Sequence, residues 1–110
     1  MSISINVYYS GKDGSARKFV EEMENSGNAK LVRAEQGCLK YEYCFAFSDP
    51  ETVLLIEDWQ DQAALDLHHS APMMEQISKL REIYDLHMNV ERFIPDEAGV
   101  PDSDRQFIRK

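Results

Sequence analysis

Leu39-Lys40-Tyr41-Glu42-Tyr43-Cys44-Phe45-Ala46-Phe47-Ser48-Asp49-Pro50-Glu51-Thr52-Val53-Leu54-Leu55-Ile56-Glu57-Asp58-Trp59 is the stretch that decides the fold. Its first nine residues put Tyr41, Tyr43, Phe45 and Phe47 on one face of an extended run, Leu39 to Phe47. Ser48-Asp49-Pro50-Glu51 is turn chemistry, and Thr52 to Trp59 is rich in β-branched and apolar residues. Two strands joined by a tight turn make an antiparallel hairpin.

Upstream of the hairpin, Ile3, Ile5, Val7 and Tyr9 alternate with Ser4, Asn6, Tyr8 and Ser10, which is a strand. Gly11 to Gly14 breaks it. Ser15 can cap a helix through Ser26, with Ala16, Phe19, Val20 and Met23 on its apolar face, and Gly27-Asn28 ends it. Lys30 to Arg33 reads as a short extended piece, and Gly37 as a bend or bulge. Downstream, Asp61 caps a helix to about His69, Pro72 opens another to about Tyr84, and Leu86 to Ile94 is the last strand. The order β-α-β-β-α-β is an α+β, ferredoxin-like arrangement, an antiparallel sheet with helices on one face.

Such a sheet should alternate apolar and polar residues, because helices cover only one side. Val53-Leu54-Leu55-Ile56 does not alternate, and Cys44 and Ala46 lie opposite the aromatics of the preceding strand. Both faces avoid water, so a second subunit stacked on the open face, a homodimer, is expected. Residues 1–95 form the domain. The tail, 96–110, holds Phe107 and Ile108 and is expected to fold over its own or the partner subunit.

The 110 residues suffice for one domain. A hydrophobic share of 43% with 29% charged residues is that of a globular protein rather than a disordered chain. The net charge of −8 argues against nucleic acid or an anionic membrane as partner. Val53 to Ile56, the longest apolar run, is far short of the ~20 residues of a membrane span, and Met1 to Ile5 has no signal-peptide pattern. Cys38 and Cys44, in one extended segment, would sit roughly 20 Å apart at ~3.3 Å per residue, too far for a disulfide. The expectation is a cytoplasmic protein with reduced thiols.

Three segments in the right order resemble the antibiotic biosynthesis monooxygenase family. Glu35-Gln36-Gly37-Cys38-Leu39-Lys40-Tyr41 is similar to the segment that opens its second strand. Glu57-Asp58-Trp59 resembles the end of its third, and Ala64-Leu65-Asp66-Leu67-His68-His69-Ser70-Ala71-Pro72 the helix that follows. The resemblance implies a dimeric α+β barrel and a cofactor-independent monooxygenase that oxidises a quinol- or polyketide-like aromatic with O₂. Met73 stands where many members carry a second histidine. Relatives that degrade haem use a strand Asn with a helical Trp and His. Asn6 could be the first, but His68 and Ser78 occupy the other two positions, so the axial iron ligand is missing.

An oxygenase without cofactor needs a substrate that gives electrons to O₂ itself, and a protein that moves a proton, holds the anion and excludes water. His68 is the first candidate for the proton, since imidazole titrates near neutrality. Asn6 could hold an enolate oxygen, though it lies on the strand face opposite Ile3, Ile5 and Val7. Glu57 could orient His68 or bind a hydroxyl, or else pair with Arg33 or Arg92. Trp59, Tyr41, Tyr43, Met73 and His87 are candidate substrate contacts; packing explains the aromatics and the methionine equally well. No metal or cofactor motif is present in the sequence. The resemblance also implies a second reading, an isomerase or lyase on a small carbonyl compound; a phosphorylated one would need a basic cluster from Arg33, Lys40, Arg81 and Arg92. A non-catalytic dimeric binding module is the third reading.

Overall fold

The computed structural model covers residues 1–110. It comprises β1 (Ile3–Ser10), α1 (Ser15–Asn25), α2 (Asn28–Arg33), β2 (Cys38–Phe45), β3 (Thr52–Trp59), α3 (Gln62–Ser70), α4 (Met73–Ile83), β4 (His87–Phe93) and α5 (Asp102–Arg105). The strands form one antiparallel sheet in the order β2-β3-β1-β4, and the fold is α+β and ferredoxin-like as expected.

Register sorts the side chains. Ile5 pairs with Glu57 and Arg92, Val7 with Leu55 and Val90, and Tyr41 with Glu57. Odd-numbered residues of β1 and β3, with Tyr41 and Tyr43 of β2, therefore face the helices together with Met88, Val90 and Arg92. That face holds the core: Ile3, Ile5, Val7, Tyr9, Val53, Leu55 and Trp59 are buried against Phe19, Met23, Leu65 and Ile77. Leu54, Ile56, Asn6, Tyr8 and Cys44 occupy the other face, which no helix covers, and each stays partly exposed.

Lys30 to Arg33 is helical rather than extended. Ala29 and Val32, one turn apart, are both fully buried under α2, so packing of a short apolar edge fixes the helix. Phe47 falls beyond β2 and is fully exposed instead of sharing the face of Tyr41 and Tyr43. Ser15 does not cap α1 either. The Glu51 carboxylate accepts from the Gly14 N–H at 3.1 Å, placing an anion at the helix N-terminus and tying α1 to the hairpin turn.

Gly37 fixes how α3 meets the sheet. Its φ of 81° is in the left-handed region, and a Cβ there would collide with the Cβ of Ala64. Its carbonyl accepts from the Gln60 N–H at 2.8 Å, and a bulge follows between Cys38 and Lys40. Asp61 caps α3 by accepting from the Ala64 N–H at 2.8 Å. Both cysteines are free and half-buried. Every residue from His87 to Lys110 is exposed, including Phe107 and Ile108.

Candidate functional site

β3 presents Glu57 and Trp59 on its helix-facing side, two residues apart. The Trp59 Nε1–H donates to Glu57 Oε1 at 3.0 Å. Trp59 is fully buried and Glu57 is 8% exposed, an unusual place for a carboxylate. Burial pushes the Glu57 carboxyl above its ordinary range, while the Trp59 hydrogen bond and the charges of His68, His69 and Arg81 pull it back. The balance is upward.

His68 stacks on Trp59 with ring centroids 4.7 Å apart and 26° between planes. Its Nδ1 lies 3.1 Å from each oxygen of Glu35, a pairing that puts a proton on Nδ1. At 4% exposure the ring is sealed into the packing between α3, β3 and the segment before β2. His68→Ala should cost about 2 kcal/mol, through the lost charge-assisted hydrogen bond and stacking. Urea unfolding measures it, and a midpoint unchanged from wild type would refute it.

Between the sheet and α3–α4 lies a cleft of about 200 Å³. Ile5, Val7, Met74, Met88 and Val90 wall it, and Glu57, His69 and Arg81 supply its polar groups. Tyr41 and Tyr43 pack behind Glu57, hydroxyls 3.3 Å apart, with Tyr43 edge-on to Phe19; burial raises both phenols. Met73 joins the core margin, and its neighbour Met74 reaches the cleft. No three His, Cys, Asp or Glu side chains converge as metal ligands.

Of the residues singled out from sequence, Glu57, Trp59, His68, Tyr41 and Tyr43 come together on one face. Asn6 and His87 do not join them. Asn6 pairs with Ile56 and Glu91 and His87 with Ser10, all on the uncovered face of the sheet. Glu57 pairs with neither Arg33 nor Arg92; Arg33 is bound to Glu24 at 2.6 Å and to the Tyr41 carbonyl at 2.8 Å. Lys40, Arg33 and Arg92 do not line the cleft, so the basic cluster that a phosphorylated substrate needs is not assembled there. Of the polar cleft residues, His69 was not assigned from the sequence, and Arg81 was named only as a donor to a phosphorylated substrate. For Arg81 the signal was spacing: it lies seven residues beyond Met74 and four beyond Ile77, on the apolar side of α4.

The model of the antibiotic biosynthesis monooxygenase family matches residues 2–80. The chain belongs to that family. In this family member the match spans β1 through most of α4, and so contains Glu57, Trp59 and His69 but stops just before Arg81. Solved structures agree in fold. A Deinococcus radiodurans candidate antibiotic biosynthesis monooxygenase is 22% identical, with a TM-score of 0.74, over 88% of this chain and 94% of its own. Rv0793 from Mycobacterium tuberculosis is 20% identical, with a TM-score of 0.71, over 90% and 100%. SnoaB, a cofactor-independent oxygenase from Streptomyces nogalater, is 10% identical, with a TM-score of 0.73, over 87% and 94%. No curated protein matches the chain.

The state of Glu57 also leaves a mark on stability. With its carboxyl raised, the native state binds that proton more readily than the unfolded chain. The stability this contributes is complete below the ordinary carboxylate pKa and is lost as pH rises through the raised native value. Melting from acid toward neutral pH should show wild type losing ground against Glu57→Gln over that window. Parallel curves would contradict it.

Proposed function

We propose that the protein is a cofactor-independent monooxygenase that oxidises a hydroxylated, quinol-like aromatic with O₂, and that Glu57 is its proton acceptor. The observation that carries this is a buried carboxylate with a raised pKa, held by Trp59 at the floor of an apolar cleft. A raised pKa makes it a better match for a phenolic proton, and burial keeps water from its carboxylate.

The substrate hydroxyl gives its proton to Glu57, leaving an electron-rich ring. That ring reduces O₂, and a C–O bond forms at a ring carbon bearing hydrogen. The peroxide oxygen takes the proton from Glu57. Loss of the ring C–H proton then sends its electron pair into a new C=O as the O–O bond breaks and water leaves. A phenol plus O₂ thus becomes a quinone plus water. His68, through Glu35 and its stack on Trp59, positions the floor rather than touching the reacting atoms.

Two chains pair in this reading through the uncovered sheet faces, where Leu54, Ile56 and Phe93 remain accessible, and Phe107 and Ile108 of each tail are buried on the other subunit. Ile56→Asp places a charge in that contact without touching the cleft. Sedimentation equilibrium should give a dimer for wild type and a monomer for the variant; equal masses would remove this part of the proposal. The activity is tested by oxygen uptake across a panel of quinols and phenols. Consumption that requires the protein, with quinone appearing mole for mole, is the expected result. Silence across the panel would overturn it.

A further inference from the structure

Arg81 is the one polar group of the cleft with no partner for its buried atom. Its Nε is inaccessible to water and has no hydrogen-bond partner, and Arg81 takes part in none of the chain's ion pairs. The guanidinium carbon stands 5.6 Å from the centre of the buried Tyr9 ring. A guanidinium stays charged, and a buried donor left unmade costs ~1–3 kcal/mol or more. The cleft around it is otherwise apolar on β1 (Ile5, Val7) and β4 (Met88, Val90). The titratable groups facing it are Tyr9 from β1, whose hydroxyl takes a hydrogen bond from another guanidinium nitrogen, Glu57 from β3 and His69 from α3.

We infer that Arg81 holds the substrate's oxygen as an anion, and that the cleft takes a single-ring phenol bound as its phenolate. This deepens the oxygenase reading and rests on it. When the hydroxyl proton passes to Glu57, the negative charge passes from Glu57 to the phenolic oxygen. Arg81 faces one anion before the transfer and one after, so the charge of the cleft is unchanged and the transfer carries little electrostatic penalty. The Nε–H gains the acceptor it lacks, as a charge-assisted hydrogen bond.

Size sets the other half of the inference. A dry cavity of ~150 Å³ accepts benzene, and sites for drug-sized ligands run from ~300 Å³. At about 200 Å³ this cleft seats one ring with small substituents, and three fused rings would project past its exposed walls Met88 and Val90.

4-Nitrophenol tests this apart from oxygen chemistry, because its phenolate is too electron-poor to reduce O₂ and its ionisation is visible. Bound to wild type it should titrate about tenfold more readily than free in solution. Arg81→Met should abolish that shift, and Arg81→Lys should restore part of it. Glu57→Gln should act in the opposite sense and tighten phenolate binding, since Arg81 then has no other anion. A purely structural Arg81 would not give opposed effects. A three-ring hydroxyphenanthrene should compete at least ~10-fold more weakly than the single ring. Ionisation unchanged in Arg81→Met, or equal binding of the three-ring phenol, overturns the inference. If nitrophenolate binding depends on Arg81 while every quinol leaves O₂ untouched, the anion site stands and the oxygenase reading falls.

Discussion

On the proposed mechanism Glu57→Gln should lower kcat for oxygen uptake by about 10²–10⁴-fold, the range expected when a positioned general base is removed. The substitution is nearly isosteric, and the amide oxygen can still accept from the Trp59 Nε1–H, so the floor of the cleft stays in place. What disappears is the ability to take a proton. Since the base must be ionised, wild-type kcat/KM should rise with pH through the Glu57 pKa, which burial places above the ordinary carboxylate range. The variant should lose that acid limb and keep a flat residual rate. An activity within tenfold of wild type, or an acid limb that survives the substitution, would move the proton to another group. His69 is then the one to test, because it shares the cleft.

The second large effect is on folding. Trp59→Ala should cost about 3–5 kcal/mol, a large share of the ~5–15 kcal/mol that holds a domain of this size together. Trp59 is fully buried, stacks on His68 and is the hydrogen-bond donor to Glu57, so truncation opens a cavity and strands a buried carboxylate at once. Guanidinium unfolding measures this, and a loss under ~1 kcal/mol would mean the site collapses around the gap. Trp59→Phe separates the two contributions. It fills much of the space but cannot donate. Its stability should be largely recovered, while the acid limb of the rate moves to higher pH because the Trp59 bond is the largest influence holding the Glu57 carboxyl down.

Strands β1 and β3 were legible to the residue, because β1 alternates strictly and the apolar run of β3 is bounded by a turn and a tryptophan. The six-residue α2 was not. Lys30-Leu31-Val32-Arg33 is too short for a period of two to be told from one of 3.6, and the signal lay in Ala29 and Val32, a turn apart. Parity along strands likewise put Tyr41 with Tyr43 and Glu57 with Trp59, while the hairpin register that joins the two pairs is visible only in the structure. It also put Asn6 on the face opposite Ile5, where it is found, which separates it from the cleft. The choice between His68 and His69 was beyond reach. Adjacent helical positions differ by about 100°, and only the seating of α3, set by the contact of Gly37 with Ala64, decides which ring is sealed in and which looks into the cleft.

That parity has a consequence for how this chain can change. Val53, Leu55, Glu57 and Trp59 serve the cleft and core, and Leu54 and Ile56 the uncovered surface, as odd and even positions of one strand. Point substitutions can therefore alter the cleft and the uncovered surface independently. A single residue inserted within β3 could not, because a one-residue slip exchanges the faces for everything beyond it. Glu57 would go to the uncovered surface, and Asp58 would turn toward the cleft. Drift in β3 should be confined to replacement, with gains and losses of length relegated to the turn at Ser48–Glu51 and to the tail.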